Sequence, residues 1–293
     1  MLLAISKSSS YKDQLLTALG KFPPLSPVLK KVLASLDDEN VSFGELAAII
    51  ETDTVLTGQV LRVVNSPLYG RRSTIASVRH GVVVLGAIKT RNLVLSLSLS
   101  KSWARSGVPR RWTINQFNSH CLAVAVLSDL LAVEQVAPYA EGAFIAGLLH
   151  DIGKLLISVT LPDKFDEVYA IWEKDEQNAL DYESELLGIS HAELGGEILR
   201  KWALPVTICE AVAYHHRPAA AAEGHFHLAH LIEAADAHVN KEGLEGGRLE
   251  VGPSSRRAQQ VTQDTLPDYG IQESIIKTTE LFHTEYKAVC SGF

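Results

Sequence analysis

Apolar residues recur at helical spacing along almost the whole chain, and sustained alternation of the kind that marks a half-buried strand is missing. Start and stop signals divide this pattern into many short helices. Ser26-Pro27 opens one, with proline at the first helical position, where its missing N–H is not needed. Ser42 followed by Glu45, and Ser190 followed by Glu193, have the spacing of capping boxes. Asp53 caps a helix through Leu56, Val60, Leu61 and Val64, which Asn65-Ser66-Pro67 ends, and Pro162 and Pro205 begin two more. Val82–Leu99 is nearly continuous apolar sequence. Gly86 and the polar Lys89-Thr90-Arg91-Asn92 interrupt it, so it reads as a buried helix pair rather than a strand. The predicted fold class is therefore all-α, a multi-helix bundle with short connections and no internal repeat. Gly107–Arg111 separates an N-terminal helical half (1–107) from a second half (108–293). Lys241–Gln263 reads as a long surface loop before a last helix around Gln272–Ala288.

Composition narrows the class. Of 293 residues, 46% are hydrophobic and 21% charged, which fits a folded globular chain and argues against disorder. A formal net charge of −7 makes the bulk surface repel nucleic acid and anionic membranes. The basic pairs Arg71-Arg72, Arg110-Arg111 and Arg256-Arg257 read as solvated surface. Cys121, Cys209 and Cys290 are odd in number and far apart, as expected of reduced thiols. No secretory leader and no run of about 20 apolar residues stands out. The expectation is a soluble, cytoplasmic protein.

Chemistry concentrates in the second half. In Ala146-Gly147-Leu148-Leu149-His150-Asp151-Ile152-Gly153-Lys154-Leu155, two adjacent ionisable residues interrupt an apolar run. Burying them is costly unless something pairs with them. A metal ion would offset that cost, since imidazole and carboxylate suit zinc, manganese or iron. Lys154 lies one helical turn beyond His150 and can present an ammonium to the same face, where it would suit an anionic phosphate. His120, His191, His215, His216 and Asp236 also sit on apolar helical segments and are the further candidate metal ligands. A single such residue is usually a satisfied core polar group; six or seven on separate helices point to convergence. His230 is the neighbouring histidine expected nearest the site, with His225, His227 and His238 read mostly as surface. Trp103, Trp112, Trp172 and Trp202 read as core or sub-domain contacts.

The order His120, His150-Asp151, Asp236 resembles the HD superfamily of metal-dependent phosphohydrolases, in which these positions bind one metal. His191 and His215-His216 resemble the additional ligands by which HD-GYP proteins hold a second. The first half is similar to the HDOD (HD-related output domain) pattern at Phe22-Pro23-Pro24-Leu25-Ser26-Pro27, at Ile49–Thr57, at Leu61–Gly70 and at Ile75–Gly86. Ser190-His191-Ala192-Glu193-Leu194-Gly195 with Trp202-Ala203-Leu204-Pro205 is similar too. The resemblance covers roughly Leu15 to Asn240 and implies a regulatory output protein with a regulatory protein partner. Many HDOD proteins have lost the ligand set that this chain retains. That retention implies one or two divalent transition-metal ions (iron, manganese or zinc) and, as the alternative, a metal-dependent phosphohydrolase acting on a small phosphorylated ligand or nucleotide. In that alternative Asp151, as a bridging ligand, and Lys154 would be the catalytic residues. After His215-His216 the chain reads Arg217-Pro218, without the Gly-Tyr-Pro signature, so cyclic di-GMP hydrolysis does not carry over.

Overall fold

The computed structural model describes residues 2–20, 26–34, 42–69, 74–103, 113–137, 139–172, 176–221, 225–243 and 269–291. Among these there are α-helices and short 3-10 turns but no strand. The Arg71-Arg72, Arg110-Arg111 and Arg256-Arg257 pairs, Trp112, Phe22-Pro23-Pro24-Leu25, the Gly107–Arg111 connection and most of the Lys241–Gln263 loop lie outside the described residues.

Helix α1 (Leu2–Leu19) is followed by a cluster of five: α2 (Pro27–Ala34), α3 (Phe43–Glu51), α4 (Thr54–Val64), α5 (Val78–Leu85) and α6 (Ala87–Trp103). The local signals explain their bounds. Ser42 and Glu45 form a reciprocal capping box at α3, and the Asp53 side chain accepts the N–H groups of Val55 and Leu56 at α4. Loss of such a cap costs about 1 kcal/mol. Asn65 ends α4 and pins the chain that returns to α5: its Nδ2 donates to Leu61 O at 2.7 Å and Ile75 O at 2.9 Å, and its Oδ1 accepts from Ile75 N–H at 2.8 Å. Gly86 breaks the apolar run at φ 80°, a left-handed conformation that a side chain would strain, so α5 and α6 meet at a bend of 116°.

The second half is centred on α7 (Ile114–Glu134), which is buried on most sides, as expected of a helix at the middle of a bundle. Around it lie α8 (Ala143–Leu149), α9 (Ile152–Thr160), α10 (Pro162–Trp172), α11 (Glu176–Leu187), α12 (His191–Lys201), α13 (Val206–Ala213) and α14 (Leu228–Glu242). The last helix, α15 (Ile271–Cys290), packs on α7 and reaches the turn Pro67–Tyr69, while α1 lies against α9 and α11. The three cysteines are free thiols.

The expectation of no apolar run near 20 residues needs correcting. Ile114–Glu134 and Ala140–Thr160 are long and apolar enough to cross a membrane by length and composition. Their apolar windows are 67% and 89% buried inside the bundle, so their hydrophobicity is spent on the core. The His-Asp doublet also differs from a simple helical placement. It stands at the break between α8 and α9, with Asp151 at φ −98°, ψ 9°, outside helical geometry.

Candidate metal centre

Five connected elements bring the candidate ligands to one place. His120 comes from the middle of α7, His150 and Asp151 from the α8–α9 break, His191 from the first position of α12, His215 and His216 from the residues after α13, and Asp236 from α14. All seven residues predicted from sequence therefore converge. They form two groups in which the donor atoms lie within 4.8 Å of one another: His120, His150 and Asp151, and His191, His215 and His216. Asp236 joins the first, its Oδ1 3.1 Å from His120 Nε2 and 3.8 Å from His150 Nε2.

Asp151 stands between the groups and divides its carboxyl. Oδ2 is 3.4 Å from His150 Nε2 and 3.8 Å from His120 Nε2, whereas Oδ1 is 3.3 Å from His191 Nε2 and 3.9 Å from His215 Nε2. Lys154 reaches back as its position one turn on requires, with Nζ 2.8 Å from Asp151 Oδ2. His150 Nδ1–H donates to Gly147 O and His215 Nδ1–H to Val212 O, both at 2.7 Å. Those bonds leave each Nε2 lone pair facing the pocket.

Burial sharpens the electrostatics. His150, His191 and His215 are fully buried and Asp151 is 3% exposed. Burial alone would raise the Asp151 carboxyl, but the neighbouring His150 and Lys154 pull it well below the usual carboxylate range. Asp236 is lowered likewise: burial opposes, and the His120 hydrogen bond and charge prevail. Burial and the neighbouring rings push His215 down to about 3 and His216 well below its ordinary value. The two carboxyls are thus held ionised and His215 and His216 neutral, states that metal binding uses. Against burial, Asp236 raises His120 and Glu183 raises His191.

A divalent ion fits this donor set on a direct observation. His150 Nε2, Asp151 Oδ1 and His215 Nε2 are buried atoms without a hydrogen-bond partner, and leaving such groups unsatisfied costs roughly 1–3 kcal/mol each. Asp151 Oδ1 and His215 Nε2 lie 3.9 Å apart, and His150 Nε2 lies 3.4 Å from the other oxygen of the same carboxyl.

Two site residues escaped the sequence. Glu183 on α11 accepts the ring Nδ1–H of His191 at 2.7 Å. Trp172, expected to make core or sub-domain contacts, lies at the pocket, its ring centroid 4.5 Å from Lys154 Nζ and in contact with His191 and His216. His230 does not approach the ligands: it is buried between Phe226 and Tyr269, with ring centroids 6.0 and 5.0 Å away. His227 is half-buried as the cap of α14 and His238 is half-buried against α15, leaving only His225 of that group exposed.

Comparison with known proteins agrees with this architecture. An HDOD domain protein of unknown function from Geobacter sulfurreducens superposes with a TM-score of 0.74 at 23% identity, covering 98% of each chain. A candidate signal transduction protein from Marinobacter aquaeolei VT8 gives 0.70 at 20% identity over 98% of this chain and 66% of that one. A candidate phosphohydrolase from Shewanella amazonensis SB2B gives 0.70 at 21% identity over 94% and 98%. Identities this low establish the fold. An uncharacterised protein of Treponema pallidum (strain Nichols) is 23% identical over 203 residues, or 68% of this chain, which spans only 38% of that relative's length. The HDOD domain pattern matches residues 22–218, two thirds of the sequence, and the chain belongs to the HDOD family.

Proposed function

We propose that this chain is an HDOD signalling protein whose pocket holds two divalent transition-metal ions (iron, manganese or zinc) and hydrolyses a small phosphorylated ligand of the nucleotide class. The observation that carries this reading is the divided carboxyl of Asp151, one oxygen turned to each histidine group. His120, His150 and Asp236 would hold one ion and His191, His215 and His216 the other, with Asp151 shared. Divalent ions in such sites make a water acidic enough to attack near pH 7 and balance the charge that develops on a phosphoryl group.

The chain's own residues supply binding and orientation. Lys154, its side chain 20% exposed at the pocket edge, places a positive charge where a phosphate oxygen would enter. The Trp172 ring under its Nζ keeps that ammonium on the pocket side. Burial of the remaining groups keeps bulk water out and strengthens every charge–charge interaction inside. His120, Lys154 and His216 are the members that solvent reaches, and they mark the side of entry.

That same burial favours a second reading. Here the ions staple the helices of the second half together and the function is a contact between the N-terminal half and a regulatory protein partner. Manganese-loaded protein assayed on bis-p-nitrophenyl phosphate and a nucleotide panel separates the two. Turnover that disappears in Asp151→Asn and falls at least tenfold in Lys154→Met supports the hydrolase. Metal-replete protein that turns over none of these substrates is the result that leaves the regulatory reading standing.

A further inference from the structure

Glu183 is a carboxyl group only 2% exposed, on a helix that contributes no ligand to the pocket. Its Oε2 accepts two hydrogen bonds from a single residue: the backbone N–H of His191 at 3.0 Å and the ring Nδ1–H of His191 at 2.7 Å. His191 is the first residue of α12, so its N–H is one of the four that a helix start leaves without an internal acceptor. The Ser190–Glu193 capping box satisfies the N–H groups of those two residues and leaves that of His191 to Glu183. Burying a carboxyl is costly unless hydrogen bonds and a helix N-terminus offset it, and here one residue provides both.

The consequence is two constraints on one imidazole. The backbone bond fixes where α12 begins. The ring bond fixes the tautomer and the ring rotation, and so directs Nε2 to Asp151 Oδ1 at 3.3 Å and His216 Nε2 at 3.1 Å. His150 and His215 are oriented differently. Each donates to a carbonyl three residues earlier in its own chain segment, an acceptor its own local backbone supplies. Among these three buried rings, His191 is the one held by a side chain of another helix.

We propose that Glu183 is the positioning residue of the second histidine group: it holds His191 as the Nδ1–H tautomer with Nε2 turned into the pocket, and thereby decides whether the pocket takes one ion or two. The ion count rests on the two-ion reading above; the tautomer does not. The outer carboxylate of a histidine ligand typically changes metal affinity 10–100-fold, so the effect is measurable.

The test uses the full chain with Glu183→Met, which keeps volume without an acceptor, Glu183→Gln, which keeps an acceptor oxygen, and Glu183→Asp, which withdraws it by one methylene. Long-range ¹H–¹⁵N NMR reads the His191 tautomer in metal-free protein, and elemental analysis after manganese loading reads occupancy. Wild type and the Gln variant should show one tautomer and two equivalents of manganese. The Met variant should show mixed tautomers and one equivalent, with His150 unchanged, and the Asp variant should lose at least tenfold in affinity for the second equivalent. If Met does not fold, the Asp variant decides alone. Met or Asp variants that keep the single His191 tautomer and both equivalents, even with lowered thermal stability, overturn the proposal. Wild type without metal would end the two-ion reading, while the tautomer comparison would still decide the role of Glu183.

Discussion

Gly153 lies at the second position of α9, against the start of α12, and the substitution Gly153→Ala probes the contact that brings His191 to Asp151. A Cβ there would stand 1.9 Å from the carbonyl oxygen of His191, 2.7 Å from its carbonyl carbon and 2.9 Å from its Cα. All three are backbone atoms, so no rotamer change can relieve the clash. Ordinary contact begins near 3.4 Å, which requires α9 and α12 to part by about 1.5 Å along that line. Overpacking of this kind costs about 1–3 kcal/mol, and a clash of backbone on Cβ belongs at the upper end. For a large single domain, about 3 kcal/mol corresponds to a Tm lower by roughly 6–12 °C. The displacement falls on His191, so manganese occupancy of the second group should drop with stability. Gly58, inside α4, is the internal comparison: a Cβ there meets nothing within 4 Å, and Gly58→Ala should raise stability by about 0.5–1 kcal/mol. Both exchanges can be followed by thermal and urea unfolding. A Gly153→Ala protein that melts within a degree of wild type and retains its full metal content would refute the close approach of α9 and α12 and the reasoning built on it.

Other outcomes follow from the same geometry. Asp151→Asn removes the charge shared by both histidine groups, and elemental analysis should find metal reduced from two equivalents to one at most; two retained equivalents would exclude bridging. Asp129, at the contact of α6, α7 and α15, is raised to about 6 by burial and Glu285, against Lys89 and Asn92, which lower it. The folded chain therefore holds a proton there that the unfolded chain has released, and the contribution of this group to stability falls as pH rises from about 4 to about 6. Asp129→Asn should accordingly stabilise by on the order of 2 kcal/mol at pH 8 and by almost nothing near pH 4. Urea titrations at the two pH values measure it, and an equal effect at both would be the wrong result.

What the sequence disclosed was mostly local. The pairs Ser42/Glu45 and Ser190/Glu193 and the Asp53 cap act within four residues, so their spacing already contained their geometry. The convergence of the seven candidate residues was legible because polar residues on apolar helices need partners. The break at His150-Asp151 was not legible, because apolar residues resume directly after the doublet and neither proline nor a cap signal marks the end of α8. Glu183 was missed among the ordinary charges of Asp181-Tyr182-Glu183-Ser184-Glu185. A signal existed, since Ala179, Glu183 and Leu187 fall at four-residue steps on one helix face and all three are buried. A lone acid on such a stripe asks for a partner. His230 was assigned to the wrong surroundings, and the pocket neighbours of Trp172 were not foreseen, because period and composition do not say which neighbours a ring will meet.

Diffraction from crystals grown with manganese, recorded to give an anomalous difference map, is the most direct measurement. Two peaks are expected on opposite sides of the Asp151 carboxyl, one among His120, His150 and Asp236 and one among His191, His215 and His216. A map without density at either position, from protein whose side chains are otherwise arranged as described, would contradict the account.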